Sequence, residues 1–138
     1  MILHGRAVSG LGRAAQFTEL EWVRRQFIAK LGFQPCPGTF NVQVVGAEDR
    51  ALWDEMKAHL NIRIEGPDVS ACAALSWPVL VNECIHGAIV VPGIPGYPPD
   101  QVEVVAAESI RAVLHIADGD PITLSVVPPT RDAGDGGL

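Results

Sequence analysis

At 138 residues with 48% hydrophobic content, the chain can bury the core of one compact domain and is too short for a second. A formal net charge of −6 speaks against a nucleic-acid or membrane-surface partner, which would need a basic face, and no apolar run approaches a membrane span. Cys36, Cys72 and Cys84 lack zinc-site spacing and leave an odd thiol, and residues 1–10 carry no leader, so the expected setting is the reducing cytoplasm, with no protein partner implied.

Short apolar runs punctuated by 11 prolines and 14 glycines predict a mainly β fold with few helices. Residues 2–8 alternate and meet Ser9-Gly10-Leu11-Gly12, a strand running into a glycine loop. Such a loop can bring backbone N–H groups to a phosphate or be an ordinary turn, and Arg13 beyond it can pair with phosphate oxygens or stand solvated. Thr18 and Glu21 read as a capping box, opening a helix with Leu20, Val23, Phe27 and Leu31 on its apolar stripe and Gly32 as its stop. In a small β domain that stripe covers a barrel end or a sheet face.

Pro35, Pro37 and Gly38 force a tight turn ahead of a strand at 41–45. Thr39 and Asn41, two apart, point to one face and set a hydroxyl beside an amide oxygen. Both are hard donors that can complete a magnesium shell filled mostly by water and phosphate; alternatively they satisfy nearby backbone. Residues 47–60 hold Leu52, Trp53, Met56 and Leu60 at helical spacing, a second helix. Residues 61–81, interrupted at Gly66-Pro67 and Trp77-Pro78, predict two or three short strands, with Cys72 and Trp77 in the core.

A strongly apolar strand at 83–91 ends at Pro92, and the proline-rich stretch 93–100 predicts a stiff rim. Tyr97 on that rim can stack on a planar ligand or pack locally. The strand at 102–106 carries Glu103 among apolar neighbours, facing either solvent or a cavity in which it binds or deprotonates a hydroxyl. Residues 108–114 predict a short helix that begins with Glu108 and carries Arg111 in its middle. Asp118-Gly119 then turns into a final strand at 121–127. Residues 1–128 form the single expected domain, and 129–138, with almost no apolar surface, an expected disordered tail.

Several islands in fixed order resemble one family, the archaeal-type CTP-dependent riboflavin kinases. They are Val8-Ser9-Gly10-Leu11-Gly12, Leu31-Gly32-Phe33-Gln34-Pro35 leading to Pro37-Gly38-Thr39-Phe40-Asn41-Val42, Gly87-Ala88-Ile89-Val90-Val91-Pro92, and Ile110-Arg111 with Asp118-Gly119-Asp120. The resemblance implies a compact cradle-loop β-barrel of about six strands. It implies an enzyme that moves the γ-phosphate of CTP to the 5′-hydroxyl of riboflavin, giving FMN and CDP with Mg²⁺.

By motif, Gly10, Leu11, Gly12, Arg13, Ala14 and Ala15 take the nucleotide loop, and Ser109, Ile110, Arg111 and Ala112 touch the nucleotide. The resemblance implies that Thr39 and Asn41 hold the metal. The resemblance further implies that Glu103, the candidate catalytic carboxylate, meets the flavin side near the accepting hydroxyl and that Pro95 takes a flavin-contacting position; Tyr97 on the same rim is a further flavin-binding candidate. Three positions depart from the family's pattern: Arg13-Ala14 replaces Glu-Gly in the loop, and Pro95 stands where a flavin-contacting threonine is usual. They leave open a kinase of the same fold for another small alcohol, or a non-catalytic nucleotide- or ligand-binding barrel.

Overall fold

A computed structural model of the protein describes residues 1–9, 17–66, 72–93 and 96–126. Its elements in chain order are β1 (Ile2–Val8), a one-turn 3-10 helix (Phe17–Glu19), α1 (Glu21–Leu31), β2 (Phe40–Gln43), α2 (Ala47–Lys57), β3 (Ile62–Glu65), β4 (Cys72–Val81), β5 (Ile85–Pro92), β6 (Gln101–Ala106), α3 (Ile110–Leu114) and β7 (Pro121–Ser125). The strands are antiparallel in the order β3-β4-β5-β6-β2-β1-β7, and β7 pairs back to β4 through Leu80↔Ser125 and Val81↔Leu124. Six strands therefore close into the expected barrel, and β3 stays outside it as an added edge.

Period-two alternation decides what each face of the barrel does. Leu3, Ala7, Val42, Val81, Ile89, Val102, Val104 and Leu124 point inward, where α2 adds Trp53 and Met56. The outer face of β3 to β6 is apolar as well: Ile64, Ala74, Ala88, Val90 and Val105 receive Val23 and Phe27 of α1. Thus α2 closes the barrel interior and α1 covers a sheet face. Burying Phe27 and Val23 contributes about 1.5–3 kcal/mol each.

Several boundaries differ from the sequence expectation. Thr18 does not cap α1: it belongs to the 3-10 turn, Leu20 is the N-cap, and the Thr18 hydroxyl instead accepts from the Gly38 N–H at 3.3 Å. Gly32 does stop α1, with φ 84° and its N–H on the Ile28 carbonyl. The second helix is as long as the first, 11 residues, and ends at Lys57. Residues 61–81 form two strands, and Trp77-Pro78 does not interrupt the second.

The reason lies in the pairing. On one edge of β4 the β3 partners end at Ser76 and the β7 partners begin at Leu80, so Pro78 sits where that edge has no ladder to lose. Trp77 is only half-buried against the core. The strand after it begins at Ile85, not at residue 83, because Asn82 and Glu83 take φ of 48° and 56° in the hairpin turn closed by Cys84 N–H on the Val81 carbonyl. Ser109, not Glu108, opens the last helix, accepting from the Ala112 N–H, and the last strand ends at Ser125. The expected tail lies outside the described residues, as does the side chain of Cys72. No described helix is long and apolar enough to cross a membrane.

At one point in the barrel wall the backbones of β1 and β2 approach closely. A Cβ on Gly5 would stand 2.5 Å from the Gln43 carbonyl oxygen and 2.6 Å from a Val42 methyl. Gly5→Ala is expected to destabilise the fold by about 1–3 kcal/mol, as overpacking of a tight site does, read as a lowered urea midpoint at unchanged slope.

Candidate active site

The site is assembled on the outer face where β1, β2 and β6 lie side by side. Val8 pairs with Asn41, Asn41 pairs with Glu103, and Glu103 pairs on its other side with Val90. Directly opposed residues share a face, so a polar pair sits next to the apolar patch under α1. That neighbourhood explains why Glu103 is fully buried and Asn41 nearly so. The solvent-facing alternative for Glu103 is thereby excluded.

Thr39, just before β2, donates its hydroxyl to Glu103 Oε1 at 2.7 Å, and Tyr97 donates its phenol to Oε2 at 2.6 Å. Asn41 Oδ1 accepts from the Gln101 side-chain amide at 2.8 Å, while Asn41 Nδ2 donates to the Thr39 carbonyl at 3.4 Å. The turn and the rim therefore converge on one carboxylate of β6, with Asn41 of β2 directly across from it in the register. Tyr97 acts here as a hydrogen-bond anchor, a role that neither stacking nor plain packing anticipated. The rim's far end is tied down too: the Asp100 carbonyl accepts from Val44 N–H, and its carboxylate accepts from Gln43 and Arg50. The hydrogen bond from Gln43 does most to hold the Asp100 carboxyl below the usual range.

Arg111 occupies a second part of the site. Its Nη2 donates to the Val8 carbonyl at 2.9 Å and to Asp118 Oδ1 at 2.6 Å, and the guanidinium lies 5.8 Å from the centre of the Phe40 ring. Ser9 donates to the other Asp118 oxygen at 2.6 Å. A cleft of about 120 Å³ opens beside this arginine, walled by Cys36, Gly38, Thr39, Ser109 and Arg111 among others. It is smaller than the ~300–1,000 Å³ of a whole small-molecule site, so it can take a phosphate group rather than an entire nucleotide. A larger hollow of about 510 Å³ lies on the other side of Glu108, between the end of α1 and the start of β5.

Of the residues singled out in the sequence, Thr39, Asn41, Glu103 and Tyr97 come together directly. Ser109, Ile110 and Arg111 line the cleft, with Ile110 also buried in the core; Ala112 does not line it, and its N–H is taken by the Ser109 hydroxyl. Gly10, Leu11, Gly12, Arg13, Ala14, Ala15 and Pro95 lie outside the described residues. Gln101, Ser9 and Asp118 join the candidate site without having been assigned a role in it from the sequence, although Ser9 and Asp118 lie in the motif islands. Gln101 was findable as the polar residue two before Glu103 on the same strand face; the Ser9–Asp118 contact spans 109 positions and leaves no local signal.

The donor set suits a hard divalent cation. Thr39 donates its only hydroxyl proton to Glu103 and keeps oxygen lone pairs, and a carboxamide oxygen accepting one N–H retains a second lone pair. Among the described residues no group of three or more His, Cys, Asp or Glu forms a ready cage. A cation held at Thr39 and Asn41 would complete its shell with water and ligand oxygens, the habit of Mg²⁺.

A family model described as "Domain of unknown function DUF120", with the short name CTP-dep_RFKase, matches residues 7–126. A protein named riboflavin kinase from Methanosarcina acetivorans is 35% identical over 127 residues, covering 90% of this chain and 53% of the relative. One of the same name from Aeropyrum pernix is 33% identical over 131 residues, covering 93% of this chain and 97% of the relative. The chain thus spans about half the length of the Methanosarcina relative and nearly all of the Aeropyrum one.

The Ser9 hydroxyl first, and then Arg111, hold the Asp118 carboxyl below the ordinary range. A lowered folded-state value means that the contribution of this contact is in place above the range of an unfolded aspartate and fades as pH falls through the lowered value. Carboxyl-carbon NMR is expected to find Asp118 titrating below an exposed aspartate, and Ser9→Ala to move it upward.

Proposed function

The chain belongs to the DUF120 family, and on that premise we propose that it transfers the γ-phosphate of CTP to the 5′-hydroxyl of riboflavin, giving FMN and CDP in a reaction that uses Mg²⁺. The acceptor is supported by the relatives named riboflavin kinase, and the donor by the short name of the family model. The observation that carries the reading is the pair of hydroxyls, from Thr39 and Tyr97, on the buried Glu103, with Asn41 directly across from it and hydrogen-bonded to the Thr39 carbonyl.

Phosphoryl transfer asks a protein mainly for alignment and charge neutralisation, with little covalent chemistry. Thr39 and Asn41 would hold Mg²⁺, which supplies positive charge against phosphate oxygens. Arg111 is steadied by Asp118 and the Val8 carbonyl through Nη2 and lines the cleft, so its Nε and Nη1 donors would serve phosphate oxygens there. The glycine loop, residues 10–15, follows β1 in the sequence and is assigned the rest of the triphosphate.

On the acceptor side the alcohol reaches Glu103 at Oε2 by taking the place of the Tyr97 phenol, since a carboxylate oxygen accepts one hydroxyl as readily as another. Glu103 then orients that hydroxyl and receives its proton as the phosphoryl group arrives. The cytoplasm is the fitting compartment, because Cys36 and Cys84 are free thiols.

Incubating the purified protein with each nucleoside triphosphate, Mg²⁺ and riboflavin is expected to yield FMN with CTP in preference to the others. No FMN with any triphosphate would overturn the reading. Asn41→Ala is expected to lower turnover by about 10²-fold or more, the scale of lost alignment, with the thermal melting profile retained. Full activity in that variant would remove Asn41 from the cation site.

A further inference from the structure

Glu103 has two oxygens, and the acceptor accounts for only one. The other receives the Thr39 hydroxyl at 2.7 Å. A threonine hydroxyl free to rotate presents its proton to a cation in some rotamers and its lone pairs in others, and only the latter bind. With the proton committed to Glu103 Oε1, the hydroxyl oxygen is held with its lone pairs turned away from the carboxylate.

Asn41 is fixed in a related way. Gln101 donates to its Oδ1, and its Nδ2 is spent on the Thr39 carbonyl, so the amide cannot present nitrogen where oxygen is needed. Both candidate ligands thus owe their polarity to neighbours on β6 or in the turn. The carboxylate among those neighbours is fully buried and stands directly across from Asn41 in the strand register.

We infer that Glu103 is a positioning residue for the cation site: acting through Thr39, it sets the hydroxyl so that its oxygen faces Mg²⁺ and places a negative charge behind that ligand. The inference rests on the Mg²⁺-dependent reading above and adds a second task to the carboxylate assigned to the acceptor. Partners standing behind a metal ligand typically change affinity by about 10–100-fold.

The test is Mn²⁺ binding to the full chain in the presence of CDP and the absence of riboflavin, with free Mn²⁺ followed by electron paramagnetic resonance. Without the acceptor, a role confined to riboflavin does not register. Glu103→Leu is expected to weaken Mn²⁺ by about 10–100-fold. Glu103→Gln, whose carboxamide oxygen can still receive the Thr39 proton, is expected to weaken it less.

In a Thr39→Val background neither substitution is expected to cost anything further, because the group through which Glu103 acts is gone. Unchanged affinity in both single variants overturns the inference, and so does an equal loss with and without Thr39. Should thermal melting show that Glu103→Leu does not fold, the glutamine variant decides alone: its loss must vanish in the Thr39→Val background, and no loss overturns the inference. If the unsubstituted protein takes up no CDP-linked Mn²⁺, the cation reading itself fails. That outcome is distinct, because it appears before any substitution is made.

Discussion

The burial of one carboxylate organises this molecule. Removing an ionised side chain from water costs several kcal/mol unless hydrogen bonds replace the lost hydration, so Glu103 at full burial requires donors held in place. The chain supplies two from segments that are otherwise loops: Thr39 from between the Pro35–Gly38 turn and β2, and Tyr97 from the rim between β5 and β6. Each loop is in turn fastened to the framework. Cys36 N–H donates to the Ala106 carbonyl at 2.7 Å, Gly38 N–H donates to Thr18, and Val44 N–H donates to the Asp100 carbonyl. Stiff turns and a closed barrel are thus conditions for holding the charge, not decoration around it.

The barrel makes this possible by using both of its faces. Its interior is a continuous apolar cluster completed by α2, and the outer face of β3 to β6 is a second cluster completed by α1. A sheet buried on both sides offers low-dielectric surroundings at the boundary where the outer cluster stops. Glu103 stands at that boundary, between Val90 under the helix and Asn41 in the polar row. Reduced water there makes each hydrogen bond and any bound cation count for more than on an open surface.

How much of the site could be read in advance depends on how local its causes are. Thr39 and Asn41 stood out because a proline-glycine turn and a two-residue spacing are neighbours in sequence; Thr39 lies just before β2 rather than in it, and what joins the two is the hydrogen bond from Asn41 Nδ2 to the Thr39 carbonyl. Tyr97 and Glu103 were each visible as unusual residues, but their mutual contact was not. The 3-10 turn at Thr18 displaced the capping box because its hydroxyl was needed by Gly38, 20 positions away. Similarly, Ser9 and Asp118 meet only because β1 and β7 lie side by side, which carries both ends of the chain to the Arg111 corner.

The amino-acid sequence alone determined the β-rich class, the succession of most elements and the family, because alternation, turn residues and motif islands are short-range patterns carried by adjacent positions. Only the tertiary structure decided which strands meet and therefore what each polar residue faces. Closure of β7 onto β4 left a gap in which Pro78 could sit inside a strand, and the β1–β2–β6 register set Val8, Asn41 and Glu103 in one row. The physical reason is that hydrogen-bond register and burial are properties of residues brought together from distant parts of the chain, and no local pattern carries their partners' identity.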